Sequence, residues 1–241
     1  MKTIAVFGDI HGNLPALKAV LKDIESRSYD KRYCLGDLVG YGTYPNEVIE
    51  MIREMQIPTI YGNYDEGVGK NSDDCGCAYK SKHARELGNR SIAWTNRNTS
   101  EQNKIILRSL PFSQTIDLEG LRILFVHGSP RKVNEYLYED RPERSVERLF
   151  ENSDVDIIIC GHTHLPYHRT LSNGKQIINA GSVGKPKDGD PRAGYIVVSV
   201  EDQVLSVEFI RVAYDVEKAA KAIEVSEMPN EFAQLLRSGA G

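Results

Sequence analysis

A chain of 241 residues is long enough to bury one sizeable core, and α/β domains of this length commonly stay undivided. Hydrophobic residues at 40% and charged residues at 27% lie near the averages of globular proteins. A net charge of -4 gives no diffuse basic surface for nucleic acid, and no apolar run has the length of a signal peptide core or a membrane span. We therefore expect a single domain over 1–241 in the cytoplasm, with neither a nucleic-acid polymer nor a membrane as its partner.

The first part of the chain alternates short apolar runs with segments of helical periodicity. The predicted elements are a strand at 3–7, a helix over 14–24 capped by Asn13, a strand at 32–35, a helix opened by Pro45 and a strand near 58–61. This βαβαβ order is typical of a largely parallel sheet.

The remainder of the chain predicts a long loop, more helix and then a series of hairpins. Residues 63–80 are rich in Gly, Asp and Asn and predict a loop, which at this length inside a compact domain is usually functional. Further on, the pattern predicts helix over 81–110, a hairpin of 112–116 with 121–126, a strand at 156–160, strands at 167–171 and 176–179 around Asn173-Gly174, strands at 195–200 and 204–211, and helices near 214–224 and 229–237. We expect an α/β fold in which two mixed sheets pack together with helices outside, a four-layer α/β/β/α sandwich on which the last helices also pack.

Polar residues with metal-binding side chains stand directly after the predicted strands. They occur in the segments Asp9-Ile10-His11, Gly36-Asp37, Gly62-Asn63-Tyr64-Asp65, His127-Gly128 and Gly161-His162-Thr163-His164. In open α/β sheets the carboxyl ends of the strands converge on one crevice, so that ligands distant in sequence can meet there. Each segment alone would be an ordinary turn, but four of the six histidines occupy these positions. The sequence therefore predicts one metal site.

The donor set indicates which metals would bind. Asp9 and His11 are separated by one residue, as are His162 and His164, which in a strand would place each pair on one face. Oxygen and imidazole ligands together suit Mn, Fe, Zn, Co or Ni better than Ca or Mg alone. Because the set would overfill one ion, we expect two divalent cations.

These segments, together with Asn179-Ala180-Gly181-Ser182-Val183-Gly184, resemble the calcineurin-like metallophosphoesterases of the small bacterial and archaeal phosphodiesterase or phosphatase type. The resemblance covers the chain from Lys2 to about Arg211. It implies that Asp37 bridges two metal ions, Mn first with Fe, Zn, Ni, Co or Mg as alternatives. The remaining ligands would be Asp9, His11 and His164 for one ion, and Asn63, His127 and His162 for the other.

The reaction expected of such a centre is in-line attack of a metal-bound hydroxide on phosphorus, without a covalent intermediate. In the family that the chain resembles, a histidine usually follows the Gly-Asn pair and is thought to protonate the leaving group, but here Tyr64 stands in its place. A phenol is a poorer general acid at neutral pH, so we expect a preference for substrates with good leaving groups. We count Asp37, Asn63, Tyr64 and Asp65 as catalytic candidates, with Asp65 orienting His11, Tyr64 or a ligand imidazole, or serving only in a turn.

Several polar residues near the motifs could contact a substrate phosphate. The candidates are Asn13, Asn63, Arg131 and Lys185. Among the cysteines, Cys34 and Cys160 lie in predicted strands and should be buried, reduced thiols. Cys75-Gly76-Cys77 lies in the predicted loop, where ordinary thiols, redox sensitivity and an accessory metal all remain open.

The sequence predicts a class of phosphorylated substrates but no single substrate, and it leaves a second function as an alternative. A phosphomonoester, a phosphodiester and a nucleotide-type phosphoanhydride all fit, and the protein would be a monomer or a small homo-oligomer. The alternative is a non-catalytic metal-binding interaction scaffold on the same fold. A nuclease is disfavoured because the chain lacks an extended basic groove.

Overall fold

The computed structural model describes residues 2–27, 29–79, 81–151 and 153–240. The strands are β1 (Lys2–Phe7), β2 (Lys31–Cys34), β3 (Ser113–Leu118), β4 (Leu121–Val126), β5 (Ile157–Cys160), β6 (Tyr167–Thr170), β7 (Gln176–Asn179), β8 (Ala193–Glu201) and β9 (Val204–Val212). The helices are α1 (Leu14–Arg27), α2 (Pro45–Glu54), α3 (Asn63–Gly69), α4 (Lys82–Asn98), α5 (Glu101–Ser109), α6 (Glu143–Glu147), α7 (Val216–Glu224) and α8 (Glu231–Ser238). No helix in these ranges is long and apolar enough to cross a membrane.

The strands form two mixed sheets, of order β2-β1-β8-β9 and β3-β4-β5-β7-β6. In the first sheet β1 is parallel to β2 and antiparallel to β8. In the second sheet β4, β5 and β7 run parallel, and the hairpin partners β3 and β6 form the edges. The expected pair of mixed sheets is confirmed, although the parallel part of the first sheet is limited to two strands.

Three apolar clusters define the four layers. Side chains of β1, β2 and β8 meet those of β4, β5 and β7 in a core between the sheets. On the far side of the first sheet, α1 and α2 pack on β1 and β8, and on the far side of the second sheet Val146, Leu149 and Phe150 pack on β5 and β7. β5 is buried at all four positions, which explains its uninterrupted apolar sequence. The α/β/β/α sandwich is therefore confirmed.

The C-terminal helices pack on the outside of this sandwich. Ala220 and Ile223 of α7 and Phe232 of α8 are buried together with Trp94 of α4. Phe232 also contacts the ring of Tyr41 at a centroid distance of 5.0 Å. The two helices thus lie beside the loop that follows β2, and the assignment of 1–241 to one domain stays a prediction.

Two predicted elements are wrong. The strand expected near 58–61 is reduced to a single parallel bridge between Cys34 and Thr59. Pro58 has no N–H to extend the ladder, and Tyr61 donates its N–H to the carbonyl of Pro111 instead.

The loop expected over 63–80 begins with α3 at Asn63. Gly67 and Gly69 weaken an isolated helix by about 1 kcal/mol each relative to alanine, and for this reason the sequence did not predict α3. In the structure, a side chain at Gly69 would crowd Arg108 of α5. The carbonyl of Gly69 also accepts a 2.5 Å hydrogen bond from Arg108. Packing against α5 therefore overrides the local propensity.

The core between the sheets should dominate the stability of the fold. Phe125 of β4 is 1% exposed, and its ring lies 4.8 Å from that of Tyr33. We expect Phe125→Ala to lower the free energy of unfolding by about 3–5 kcal/mol, because it leaves a cavity between two closely packed sheets. Denaturant unfolding followed by circular dichroism measures this change.

Phe209→Ala is the matched control, because Phe209 of β9 is 40% exposed. It should cost less than about 1 kcal/mol. Equal losses in the two variants would contradict the placement of the core.

Candidate metal centre

The candidate ligands come from loops at the ends of strands from both sheets. Asp9 and His11 follow β1, Asp37 follows β2, and Asn63 begins α3. His127 follows β4, and His162 and His164 follow β5. All seven side chains are at most 3% exposed.

Hydrogen bonds between the sheets hold these loops together. His127 Nδ1 donates to the carbonyl of Leu35 at 2.9 Å, and the N–H of His162 donates to Asp9 Oδ2 at 3.1 Å. The hydroxyl of Ser182 donates to the carbonyl of Asp9 at 2.8 Å. Loops distant in sequence are thereby fixed at one end of the sandwich.

Five of the ligands have a left-handed backbone, which non-glycine residues rarely adopt. The φ angles are 51° for Asp9, 52° for His11, 51° for Asp37, 66° for His162 and 62° for His164. Such residues cost about 1–3 kcal/mol each and cluster at functional sites. We expected the alternation of side chains along a strand to place Asp9 with His11, and His162 with His164, on one face. That reason is wrong, because these residues lie in strained turns beyond the strands.

Asp9, His11 and His164 form the first group of ligand atoms. Asp9 Oδ1 lies 3.1 Å from His164 Nε2 and 3.8 Å from His11 Nε2. The two Nε2 atoms are 3.1 Å apart. One cation could therefore contact all three side chains.

Asp37, His127 and His162 form the second group. Asn63 joins it, because its Oδ1 lies 3.1 Å from His127 Nε2. Asp37 Oδ2 is 3.4 Å from His127 Nε2 and 3.6 Å from His11 Nε2, so this carboxylate lies between the two groups.

The orientation of the imidazoles leaves their Nε2 lone pairs facing inward. His11 Nδ1 lies 3.1 Å from the carbonyl of Val39, and His164 Nδ1 lies 2.5 Å from that of Lys185. Since a carbonyl only accepts, Nδ1 carries the hydrogen in both rings. Carbonyl partners of this kind orient metal-binding histidines.

Two observations indicate that a cation fits among these atoms. Burial lowers the pKa of His11 to about 3 and that of His164 well below its usual value, so two neutral rings face each other with unshared pairs 3.1 Å apart. Asp9 Oδ1 and His162 Nε2 are buried and have no hydrogen-bond partner among the described residues. Unpaired buried polar atoms are costly, and a divalent cation would satisfy them.

Comparison with known proteins agrees with this geometry. The sequence profile of the calcineurin-like phosphoesterase superfamily domain matches residues 1–203. The chain belongs to the calcineurin-like phosphoesterase superfamily.

Its relatives come from archaea and bacteria. An uncharacterized protein of Methanocaldococcus jannaschii is 37% identical, with 98% of each chain covered. The crystal structure of a metallophosphoesterase from Sphaerobacter thermophilus is 30% identical with a TM-score of 0.77, over 99% of each chain. Phosphodiesterase YfcE of Escherichia coli is 28% identical over 86% of this chain and 91% of its own.

The two ligand groups differ in their electrostatics. Burial alone would lower the pKa of His127, but the carboxylates of Asp37 and Asp9 and hydrogen bonds to Asp37 and Leu35 outweigh it and raise the pKa to about 10. Without a cation, His127 therefore carries a proton at neutral pH. Burial lowers the pKa of His162 well below its usual value, so this ring is neutral.

Asp65 supports the site through the backbone: the hydrogen bonds of its carboxylate go to Leu38 and Gly62 and not to His11, Tyr64 or a ligand imidazole. Its Oδ1 accepts from the N–H of Leu38 at 2.8 Å, and its Oδ2 accepts from the N–H of Gly62 at 2.9 Å. Burial and then the charge of Asp37 raise its pKa to about 7. The side chain joins the loop that carries Asp37 to the turn that carries Asn63.

Asn179 is a supporting residue that sequence reasoning did not single out. Its Nδ2 donates to the carbonyl of Gly161 at 2.7 Å and to the hydroxyl of Thr163 at 3.0 Å. Its Oδ1 accepts from the N–H of Gly181. The residue fixes the turn between His162 and His164, and its place in the motif after the last histidines was the signal that could have found it.

Two of the predicted substrate contacts, Asn13 and Arg131, have their polar groups occupied by other residues of the protein. Asn13 caps α1 through Ala16 and donates both amide hydrogens, to the carbonyl of Gly184 and the hydroxyl of Tyr214, so none remains for a substrate. Arg131 is paired with Glu135, which neutralises its charge.

Lys185 lies at the edge of the first ligand group. Its side chain is buried, with the ammonium 4.8 Å from the centre of the Tyr41 ring, and it lines a cleft together with His11. Burial and the neighbouring charge of Lys187 lower its pKa to about 7.

Cation binding should differ in pH dependence between the two groups. A proton must leave His127 before a cation binds, so Mn²⁺ affinity at that group should rise by up to about tenfold per pH unit between about pH 6 and 9. The group of His11 and His164 should show no such slope, since both rings are already neutral.

Calorimetric titration of the metal-free protein with Mn²⁺, in two buffers of different ionisation enthalpy, counts the protons released. Substitution of His127→Gln should abolish the release while keeping binding at the first group. Two sites with the same slope, or no released proton, would contradict the protonated state of His127.

Proposed function

We propose that this chain is a metal-dependent phosphoesterase that hydrolyses a phosphomonoester, a phosphodiester or a nucleotide-type phosphoanhydride with two divalent cations. The observation that carries the proposal is the Asp37 carboxylate between two buried groups of inward-facing ligand atoms. Membership in the phosphoesterase superfamily and a relative named a phosphodiesterase support a hydrolase.

The chain would hold one cation with Asp9, His11 and His164 and the other with Asn63, His127 and His162, with Asp37 shared. Two closely spaced cations activate a water molecule, neutralise phosphoryl oxygens and stabilise the leaving oxygen. The protein keeps His11, His162 and His164 neutral, whereas the proton on His127 must leave before a cation binds there. Mn²⁺ is our first choice because the donors are oxygen and imidazole, with Fe, Zn, Ni, Co and Mg as alternatives.

Lys185 is our choice for the contact to a non-reacting phosphoryl oxygen. Lys185 lines the same cleft as His11, and its backbone carbonyl orients His164, so we place its ammonium beside an anionic group bound at the first ligand group. A buried cation beside a phosphate forms a strong charge-assisted hydrogen bond.

Tyr64 is poorly suited to protonate a leaving group. Burial raises its pKa well above the usual value, and its hydroxyl lies 3.4 Å from that of Tyr79. Its ring packs edge-on against His11, at a centroid distance of 5.5 Å. We therefore assign Tyr64 to the positioning of His11, and propose substrates whose leaving groups depart without a strong acid, such as aryl esters, nucleotides or phosphoanhydrides.

The wider setting of the enzyme is also a proposal. A small phosphorylated molecule would be the substrate, in the cytoplasm, and the protein would act as a monomer or a small homo-oligomer.

Substitution of the ligands should separate an enzyme from a scaffold. With Mn²⁺ added, hydrolysis of nitrophenyl phosphate and bis(nitrophenyl) phosphate should fall by at least about 100-fold in Asp37→Asn and in His164→Ala, because each loses a group that holds a cation. The matched control is His83→Ala, since His83 lies exposed on α4. Circular dichroism checks that each variant is folded.

Turnover lost in the two ligand variants and kept in the control supports the enzyme. No metal-dependent turnover on either ester or on nucleoside polyphosphates would favour the interaction scaffold.

The dependence on the leaving group tests the assignment of Tyr64. For a series of aryl phosphate esters, the logarithm of kcat/KM should fall steadily as the pKa of the departing phenol rises, since Tyr64 supplies no proton. Tyr64→Phe should leave that slope unchanged. A flat dependence with chemistry rate-limiting, or a steeper slope in Tyr64→Phe, would show that a proton is donated after all.

A further inference from the structure

The Cys75-Gly76-Cys77 segment lies beside the metal centre and has no place in the proposed reaction. Its two sulfur atoms are 3.1 Å apart. Gly76 has a φ of 69° and turns the chain so that both side chains lie on one side. Both thiols are free.

Neighbouring residues hold this turn in shape. The N–H of Gly76 donates to Asp74 Oδ1 at 2.8 Å, and its carbonyl accepts from Asn134 Nδ2 at 2.9 Å. Cys75 is 7% exposed, whereas Cys77 is only half-buried. Cys77 is therefore the more exposed of the two residues, and the pair lies near the surface, where a small reagent can approach it.

The segment also fixes the direction of Asn63. Asn63 Nδ2 donates to the carbonyl of Cys75 at 2.9 Å and to the sulfur of Cys77 at 3.2 Å. Since the carbonyl of Cys75 only accepts, the nitrogen of the amide must lie on the cysteine side. Asn63 Oδ1 is thereby directed to His127 Nε2, within the second ligand group.

We propose that Cys75 and Cys77 are an oxidation site, which closes to a disulfide by exchange with a low-molecular-weight disulfide and thereby weakens cation binding at the group that contains Asn63. The sulfur of one cysteine attacks one sulfur of the reagent and releases the first small thiol. The sulfur of the other cysteine then displaces the second small thiol from the mixed disulfide. The two cysteines lose two electrons and the reagent gains them, while the two cysteine protons end on the released thiols.

Closure would disturb Asn63 in a definite way. The sulfur atoms must approach from 3.1 Å to about 2.05 Å, which draws Cys77 from the amide of Asn63. The loss of such a supporting partner typically lowers metal affinity by about 10–100-fold.

The first ligand group should be spared. His11 and His164 are oriented by the carbonyls of Val39 and Lys185, and neither depends on the cysteine segment. Oxidation should therefore act on one of the two cation sites.

The test uses the full chain, treated with oxidised glutathione and compared with the same protein reduced by dithiothreitol. We expect the intact mass to fall by two hydrogens. The same loss should be found in the single peptide that contains Cys75 and Cys77. Cys34 and Cys160 serve as internal controls, because they are buried and should stay unmodified. Titration with Mn²⁺ alone should then show one site weakened by about 10–100-fold and the other unchanged, with reversal by dithiothreitol.

Cys77→Ser is the matched variant, because its hydroxyl can still accept from Asn63 but cannot form the disulfide. Its Mn²⁺ affinity should be the same before and after treatment. A stable glutathione adduct without closure, or no reaction at either cysteine, would overturn the oxidation site. Closure with unchanged binding at both sites, or the same loss of affinity in treated Cys77→Ser, would overturn the coupling to Asn63. Peptide mapping requires neither substrate nor metal, so its result is independent of the proposed hydrolysis.

Discussion

The Asp37 carboxylate is the group on which the geometry of the site depends. Its Oδ2 lies within 3.6 Å of imidazoles from two different ligand groups, and its Oδ1 accepts the N–H of Tyr64 at 2.8 Å. The protein buries this carboxylate beside the imidazoles of His11, His127 and His162, a concentration of polar groups that costs stability unless cations compensate it. Only a residue that both ligand groups reach could be shared between two ions.

The fold holds this arrangement through strain and short cross-links. Left-handed backbone at five ligands is stabilised by hydrogen bonds that join loops of the two sheets, such as those of His127 to Leu35 and of His162 to Asp9. Close packing adds to this: a side chain at Gly62 would collide with the carboxylate of Asp37. The same rigidity explains why the amide of Asn63 can be directed by a neighbouring cysteine turn, since its oxygen is held against His127 and its nitrogen against that turn.

The sequence predicted the sandwich and the convergence of the ligands because both follow from local patterns. Buried strands read as apolar runs, and polar residues directly after them meet wherever strand ends meet. The sequence did not predict α3, because packing on α5 overrides the low helix propensity of two glycines. It predicted a strand at Pro58, because local composition does not show which backbone groups pair over long range. The sequence could not predict the partners of Asp65 and Arg131 either. Both side chains form contacts whose geometry exists only after the loops have folded.

The central claim is that two cations share Asp37. Crystals grown with Mn²⁺ and measured on both sides of the manganese absorption edge would test it most directly. The account predicts two anomalous peaks about 3.5–4 Å apart, one beside Asp9, His11 and His164, one beside Asn63, His127 and His162, with the Asp37 carboxylate touching both. A single peak, or two peaks of which one lies away from Asp37, would contradict it.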